Sequence, residues 1–525
     1  KKMNKILCFV FSLLLISCNV STPKDQLNEI IATYENYGKS KKEDSPLGDY
    51  TETRFEAYAK FSDSLKTVLG AIDPNKLSAD DRISHTLLHF VLNETVVKYD
   101  FKTHWNPILS DAGFHSSLTY RVRPITNKKS ALAYLKLLKA IPTYIEQQSV
   151  LIKKGLDAGM GQPLVIFKGY ESTYEQHITK TAEENFYYSP FLKLPPQLTS
   201  KEKDSLRQAA KEIVLEQLIP AFQFVKRFFE ETYYPNTRTT LGVSETPNGE
   251  AYYQDRINFY TTSQQYTADD IHQIGLNEVA RIKAEMQKII ASLSFKGSFA
   301  DFFQFLRTDE QFYAKTPKEL LMIARDMAKR ADEQLPRFFK TLPRKPYGVA
   351  PVPDAIAPKY TSGRYVGTSK NSTDPGYYWV NTYDLPSRTL YTLPALTVHE
   401  AVPGHHLQGS LNNELGDSIP KFRRNLYLSA YGEGWGLYCE FLAEEMGMYT
   451  TPYEHFGKLT YEMWRACRLV VDTGIHAKGW TRDQVVDYMS SNTALSLHEI
   501  NTETDRYISW PGQALSYKIG ELKIR

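Results

Sequence analysis

Cysteine is nearly absent from this chain: four occur in 525 residues, and two of them, Cys8 and Cys18, fall in the N-terminal leader. Cys439 and Cys467 remain, too few for a disulfide framework in a chain of this length. Neither stands at metal-ligand spacing from a histidine or another cysteine, and the sequence leaves open whether they pair. An excess of one charge is lacking as well. With 63 Lys and Arg against 60 Asp and Glu the formal net charge is only +3, and without a basic run or recognition motif a nucleic-acid partner has no support. There is no internal repeat and no Walker loop. Nor is there a G-x-G-x-x-G fingerprint, since Gly432-Glu-Gly-Trp-Gly436 has neither the spacing nor the preceding strand.

What the first residues contain reads as an export signal. Lys1-Lys-Met-Asn-Lys5 is a short basic region, Ile6 to Ile16 is apolar but too short to cross a bilayer, and Leu15-Ile-Ser-Cys18 resembles a bacterial lipobox. The expectation is a signal peptide over 1–17 and lipidation at Cys18, hence an exported, membrane-anchored lipoprotein. Residues 18–45 are polar with one helical run, Gln26 to Tyr37, and suggest a tether. Over the whole chain, 42% hydrophobic and 23% charged residues suit a globular enzyme with a large core. Apolar residues recur every three or four positions near 50–70, 79–99, 128–158, 200–232, 267–292 and 316–341, so the fold class is mainly α. A helical N-terminal half (46–235) precedes a catalytic half (236–525). In the latter, β-branched and aromatic residues around Pro247-Asn-Gly249 suggest a hairpin between Asn236 and Thr262. Tyr377-Tyr-Trp-Val-Asn-Thr382 alternates like a strand.

The chemistry concentrates in Thr397-Val-His-Glu-Ala-Val-Pro-Gly-His-His-Leu-Gln408. Paired neutral imidazoles make half a zinc site, and a glutamate directly after the first histidine is where a metallohydrolase keeps its general base. In H-E-x-x-H the histidines at i and i+4 share a helical face. Here position i+4 is Pro403, and the next histidines are His405 and His406. On a straight helix His405 would point about 120° from His399, and His406 would sit roughly 10 Å further along the axis. Pro403 cannot donate to the carbonyl of His399, and Gly404 tolerates unusual backbone angles. A kink there would bring one histidine back: looping out two residues recruits His405, three His406. Gly-His at the end of the element resembles the H-E-x-G-H and H-E-x-x-G-H versions of oligopeptidases and dipeptidyl peptidase III, which favours His405. Glu433, 28 residues later in a helical pattern from about Asn425 to Met446, stands between Gly432 and Gly436. Those glycines, four apart, leave one helix face bare for another backbone to approach.

Three segments together, H-E-A-V-P-G-H-H-L-Q, Gly432-Glu-Gly-Trp-Gly-Leu-Tyr438 and Asp505-Arg-Tyr-Ile-Ser-Trp-Pro-Gly-Gln-Ala-Leu-Ser-Tyr517, resemble the bacterial family catalogued as domain of unknown function 885, which is grouped with the gluzincin metallopeptidases. The likeness extends upstream through Pro375-Gly-Tyr-Tyr-Trp-Val-Asn-Thr382. It implies that Glu433 is the third metal ligand, brought by a second helix. It also implies an oligopeptidase-like architecture with a small β-sheet beside the site helix and a deep cleft that admits short peptides. In gluzincins an edge strand runs over the metal and pairs with the substrate backbone, so Asn381 would grip a peptide main chain.

The resulting expectation is a lipid-anchored Zn2+ metallopeptidase in which His399, His405 (with His406 as its alternative) and Glu433 bind the metal and Glu400 handles the proton. Donors for the developing oxyanion are sought among His498, Arg506, Tyr507, Gln513 and Tyr517. Tyr507 comes first, beside Arg506, which could hold a substrate carboxylate bidentately. Tyr517 follows, in a context similar to the Gly-Tyr-Tyr-Ser-Tyr segment of thimet-type oligopeptidases. Asp472 and His476 could be supporting partners or only a local helical pair. Two other readings stay open: a zinc amidohydrolase acting on a non-peptide amide, and a lipoprotein that captures peptides without cleaving them. Oligomeric state is not legible.

Overall fold

The 3.6-residue periodicity gives helices almost where the pattern places them. The computed structural model describes residues 21–40, 45–354, 356–369 and 372–525, so the leader and Cys18 lie outside the described residues. Helices α1 (Pro23–Ser40), α2 (Glu52–Gly70), α3 (Ala79–Asp100) and α4 (Lys128–Asp157) open the chain. Thr51, Ser78 and Asn127 cap α2 to α4 by accepting from the backbone three residues on. The stretch expected at 200–232 is helical throughout, with π turns at Val214–Leu218 and Phe228–Tyr233 on either side of Ile219–Arg227. The first π turn runs into Pro220, which has no N–H to continue an i→i−4 ladder. Helices α5 (Ala268–Ser292) and α6 (Pro317–Phe338) complete the predicted set.

Two expectations are corrected here. Residues 23–40 are not a loose tether: Leu27, Ile30 and Ile31 pack with Leu65, Leu69, Leu88, Leu92 and Phe422, and the Phe422 N–H donates to Glu35 Oε1 (2.8 Å). The hairpin around Pro247-Asn-Gly249 does not form. Asn248 takes a left-handed conformation, and a helix, Gly249–Thr261, starts directly after it. Tyr253 and Ile257, four apart, bury one face of that helix, and Gly249 packs so tightly that a Cβ would lie 1.9 Å from the Val243 carbonyl oxygen.

The sheet has three strands, β1 (Tyr347–Pro351), β2 (Gly363–Val366) and β3 (Gly376–Val380), in the order β1-β3-β2. β1 runs parallel and β2 antiparallel to β3. The expected strand is therefore present but central, buried through Tyr378 and Val380, and the edges belong to β1 and β2. Six helices follow that build the site: α7 (Leu393–Glu400), α8 (His405–Glu414), α9 (Ser429–Glu445), α10 (Pro452–Lys478), α11 (Leu497–Ser509) and α12 (Ser516–Ile524). One cluster of buried apolar side chains runs from Leu47 to Ala514 and so passes through both expected halves. Cys439 and Cys467 are free and fully buried. Among the described residues no helix is long and apolar enough to cross a membrane.

Candidate metal centre

Every residue of α7 is buried, and the helix stops at Glu400. The break is a four-residue turn, Ala401–Gly404, rather than a bulge within one continuous helix, and it contains a cis Val402–Pro403 bond. Its backbone groups are satisfied locally: Ala401 N–H donates to Thr397 O (2.8 Å), Gly404 N–H to Val398 O (2.9 Å) and His406 N–H to Ala401 O (3.0 Å). The turn folds back so closely that a Cβ at Gly404 would lie 1.9 Å from the His399 carbonyl oxygen, so only glycine fits. Trp435 Nε1 pins it by donating to Pro403 O (2.9 Å).

This turn points the paired histidines in different directions. The His405 ring stands 4.8 Å from that of His399, nearly perpendicular to it. His406 faces away, with Nδ1 3.0 Å from Tyr365 Oη and 3.3 Å from Ser410 Oγ and its ring against Tyr347. Burial pushes the His406 pKa down to about 4.

Glu433, on α9, meets both remaining imidazoles: its Oε2 is 3.6 Å from His399 Nε2 and 3.4 Å from His405 Nε2. Two ligands about 2.05 Å from one ion at a tetrahedral angle lie about 3.3 Å apart, so these separations fit a shared divalent cation. The other oxygen, Oε1, accepts from Tyr427 Oη (3.2 Å). His399 Nδ1 donates to Glu440 Oε1 (2.7 Å), which leaves Nε2 free on the side of Glu433 and His405. Glu440 is seven residues after Glu433, hence on the same helix face, and is fully buried. The bare face predicted for α9 exists, but side chains fill it. A Cβ at Gly432 would lie 2.4 Å from the Tyr427 ring, and one at Gly436 would lie 2.6 Å from His399 Cε1. The close backbone approach is at Gly434, against Gly520 of α12.

Glu400 completes the cluster. Its carboxylate lies within 4.8 Å of the His399 and His405 donor atoms, and Oε2 accepts from the backbone N–H of Tyr365 on the β2 edge (2.7 Å). Burial opposes a charge on His399, but its hydrogen bonds to Glu433 and Glu440 and the charge of Glu400 outweigh it and raise its pKa to about 10. Burial likewise opposes charge on Glu433, yet the two histidines hold its carboxyl well below the usual range. Three carboxylates around two imidazoles form an anionic nest, which suits a divalent cation.

The remaining candidates separate by what their polar atoms already do. Tyr507 Oη accepts from Trp464 Nε1 (2.8 Å) and Arg468 Nε (3.0 Å) and also bonds with Glu503. Committed to a buried network, it is not free to serve an oxyanion. Arg506 is drawn to Glu503 (3.5 Å) and lies over Trp510. Asn381 is corrected likewise: its amide donates to the carbonyls of Ala357, Tyr360 and Thr361, and its oxygen accepts from Tyr383 N–H. That makes it a loop staple with no donor left for a peptide. Gln513 is buried in a 3-10 turn, and His498 is exposed on the first turn of α11. Asp472 accepts from Tyr253 and Gly512, and His476 bridges Val243 N–H and the Tyr507 carbonyl, so both clamp the C-terminal segment. Tyr517 stacks on the Arg468 guanidinium (4.4 Å). It also interacts electrostatically with Tyr427 and with Arg364.

Sequence reasoning missed Glu440, Tyr427, Tyr365 and Arg364. Only Glu440 had a signal, its seven-residue spacing from Glu433. Arg364, exposed on β2, is within electrostatic reach of Glu400 and Glu433.

Residues 31–525 match the family described as bacterial protein of unknown function, DUF885. Among solved structures, a presumed lipoprotein from Colwellia psychrerythraea is 27% identical with a TM-score of 0.85, over 96% of this chain and 92% of that one. A presumed lipoprotein of unknown function from Shewanella oneidensis shares the fold at 17% identity, TM-score 0.67, over 95% of this chain and 90% of that one. No curated protein matches the sequence.

Proposed function

The chain belongs to the DUF885 family, and we propose that it is an exported, lipid-anchored, zinc-dependent metallopeptidase that hydrolyses short peptides in a gluzincin-type site. The observation that carries this reading is the convergence of His399 Nε2, His405 Nε2 and Glu433 Oε2 with the Glu400 carboxylate beside them. Two imidazoles and one carboxylate are the donor set of zinc hydrolases. When bound there, the ion would acidify water and polarise the carbonyl to be attacked. The lipobox-like Leu15-Ile-Ser-Cys18 and the naming of the two similar structures as presumed lipoproteins support export and an anchor at Cys18.

The chain's own residues then have definite tasks. Glu440 fixes the tautomer and ring plane of His399, so that Nε2 is the atom offered. Tyr427 holds the second oxygen of Glu433 and leaves the first for the ion. Glu400, held in place by the Tyr365 N–H, takes the proton of the attacking water and delivers it to the leaving amine. For the oxyanion we assign Tyr517 in place of Tyr507, because the Tyr507 hydroxyl is consumed by Trp464 and Arg468. Arg364, on the strand edge above Glu400, is a second candidate cation for developing negative charge.

Glu400→Gln tests the assignment. The variant should keep metal near one per chain and bind peptides, while turnover of a mixed short-peptide substrate falls by at least about 100-fold. Turnover that survives would remove Glu400 as the base, and peptide binding without any wild-type turnover would favour a capture protein.

A further inference from the structure

A cavity of about 330 Å³ opens between α7, α10 and the segment before α11. Two elements connect it to the metal centre. Leu393 and Leu396 of α7 line it, and His399 and Glu400 follow Leu396 by three and four residues, about 5–6 Å away on the same face. Ser362 also lines it and leads directly into β2, whose Tyr365 N–H holds Glu400. We propose that this cavity receives one side chain of the bound peptide and selects large uncharged ones, of leucine to tyrosine size. The proposal deepens the peptidase reading and rests on it for the identity of the ligand.

The selection follows from the lining. Leu320, Val380, Leu393, Leu396 and Leu495 supply apolar wall, which favours burial of a large apolar group. The charged lining groups oppose both signs. Arg307 is held by the carbonyls of Thr493 and Leu495, and Arg388 by Ser362 Oγ and the Tyr383 carbonyl; among the described residues no carboxylate pairs with either at bonding distance. Among the described residues the Glu499 carboxyl makes no hydrogen bond or ion pair, and burial, reinforced by Glu503, raises its pKa to about 7. A tip of either sign would meet a like charge beside its opposite, the two arginines together with Glu499, and so gain little net attraction. Either would lose its hydration without a dedicated partner.

The test is calorimetric binding to Glu400→Gln protein loaded with zinc, using tripeptides that carry Gly, Leu, Phe, Tyr, Lys or Glu at each position in turn. One position should show Leu, Phe and Tyr at least about tenfold tighter than Gly, with Lys and Glu no better than Gly. Ala494→Phe, which fills the cavity, should erase that preference and leave the Gly peptide unchanged. Gln304→Trp, which covers the mouth from an exposed helix position, should do the same if the core variant fails to fold. A preference that survives both variants, tightest binding of Lys or Glu, or no peptide binding at all overturns the proposal. A wild type that binds with this preference but cleaves nothing overturns the peptidase reading alone.

Discussion

Gly436→Ala should separate metal binding from folding. An added Cβ would sit 2.6 Å from His399 Cε1 and 2.7 Å from Nε2, where 3.4 Å is the start of ordinary contact. The imidazole must therefore retreat by about 0.8 Å. It is fully enclosed and tied by Nδ1 to Glu440 at 2.7 Å, so it cannot swing aside without breaking that bond. Metal–ligand distances tolerate only about 0.2 Å, so His399 is lost as a donor. Losing a mere supporting partner lowers metal affinity about 10–100-fold; losing a ligand should exceed about 100-fold. Stability should change little, because alanine gains about 1 kcal/mol of helix propensity over glycine while overpacking costs about 1–3 kcal/mol. Competition with a chelator of known affinity, alongside a thermal melt of the metal-free protein, reads both quantities. Gly434→Ala is the control: its Cβ would strike the Gly520 backbone at 2.5 Å, so the α9–α12 crossing and the melting point should suffer instead. A Gly436→Ala protein that holds zinc with wild-type affinity would refute the placement of His399.

His405→Ala should abolish zinc retention in elemental analysis, whereas His406→Ala, which removes a ring turned toward Tyr365 and Ser410, should retain it; the reverse outcome would reassign the ligand. Glu440→Gln should weaken zinc by about 10–100-fold with the fold intact, and unchanged affinity would show that His399 needs no orienting carboxylate. Acid lability should come partly from buried neutral histidines: burial lowers His115 and His476 to about 3 and His177 to about 4. Because these folded values lie below the unfolded value near 6.5, their contribution is complete above pH 6.5 and is lost as pH falls through 6.5 toward 3, at about 1.4 kcal/mol per pH unit for each group. Among the described residues His177 has no hydrogen-bond partner on either ring nitrogen, and it sits among Tyr187, Phe222 and Phe186. His177→Phe should leave stability at pH 8 unchanged or higher and flatten the urea midpoint between pH 6.5 and 4.5; an unchanged slope would exonerate this residue.

Local pattern reached a good part of this molecule. Helices α2 to α6 follow from apolar spacing and capping residues, both of which act within one or two turns of the chain. The β3 strand was legible from its alternation, yet its place in the sheet was not: strand order depends on which distant segments pair, and β2 carries too few residues to announce itself. The Asn-Gly pair at 248–249 shows the converse error. A left-handed Asn suits a hairpin turn, but Tyr253 and Ile257 find a buried helical face in α-spacing, and that packing outweighs the turn preference.

For the candidate site, the sequence by itself determined which polar side chains stood out and where the chain breaks between them. His399, Glu400, the two adjacent histidines and Glu433 stood out because their donor atoms are of the kinds that bind metals, and Pro403-Gly404 announced a break because neither residue continues a helix. What only the tertiary structure decided is which atoms face each other. Four backbone torsion pairs between Glu400 and His405 set the direction of α8, and they are fixed by the fold-back onto His399 and by Trp435 from another helix. The same long-range packing turned Tyr507 and Asn381 inward and brought Glu440, Tyr427 and the Tyr365 N–H to the cluster. Hydrogen-bond partners separated by tens of residues leave no periodic trace, so only the assembled chain could assign them.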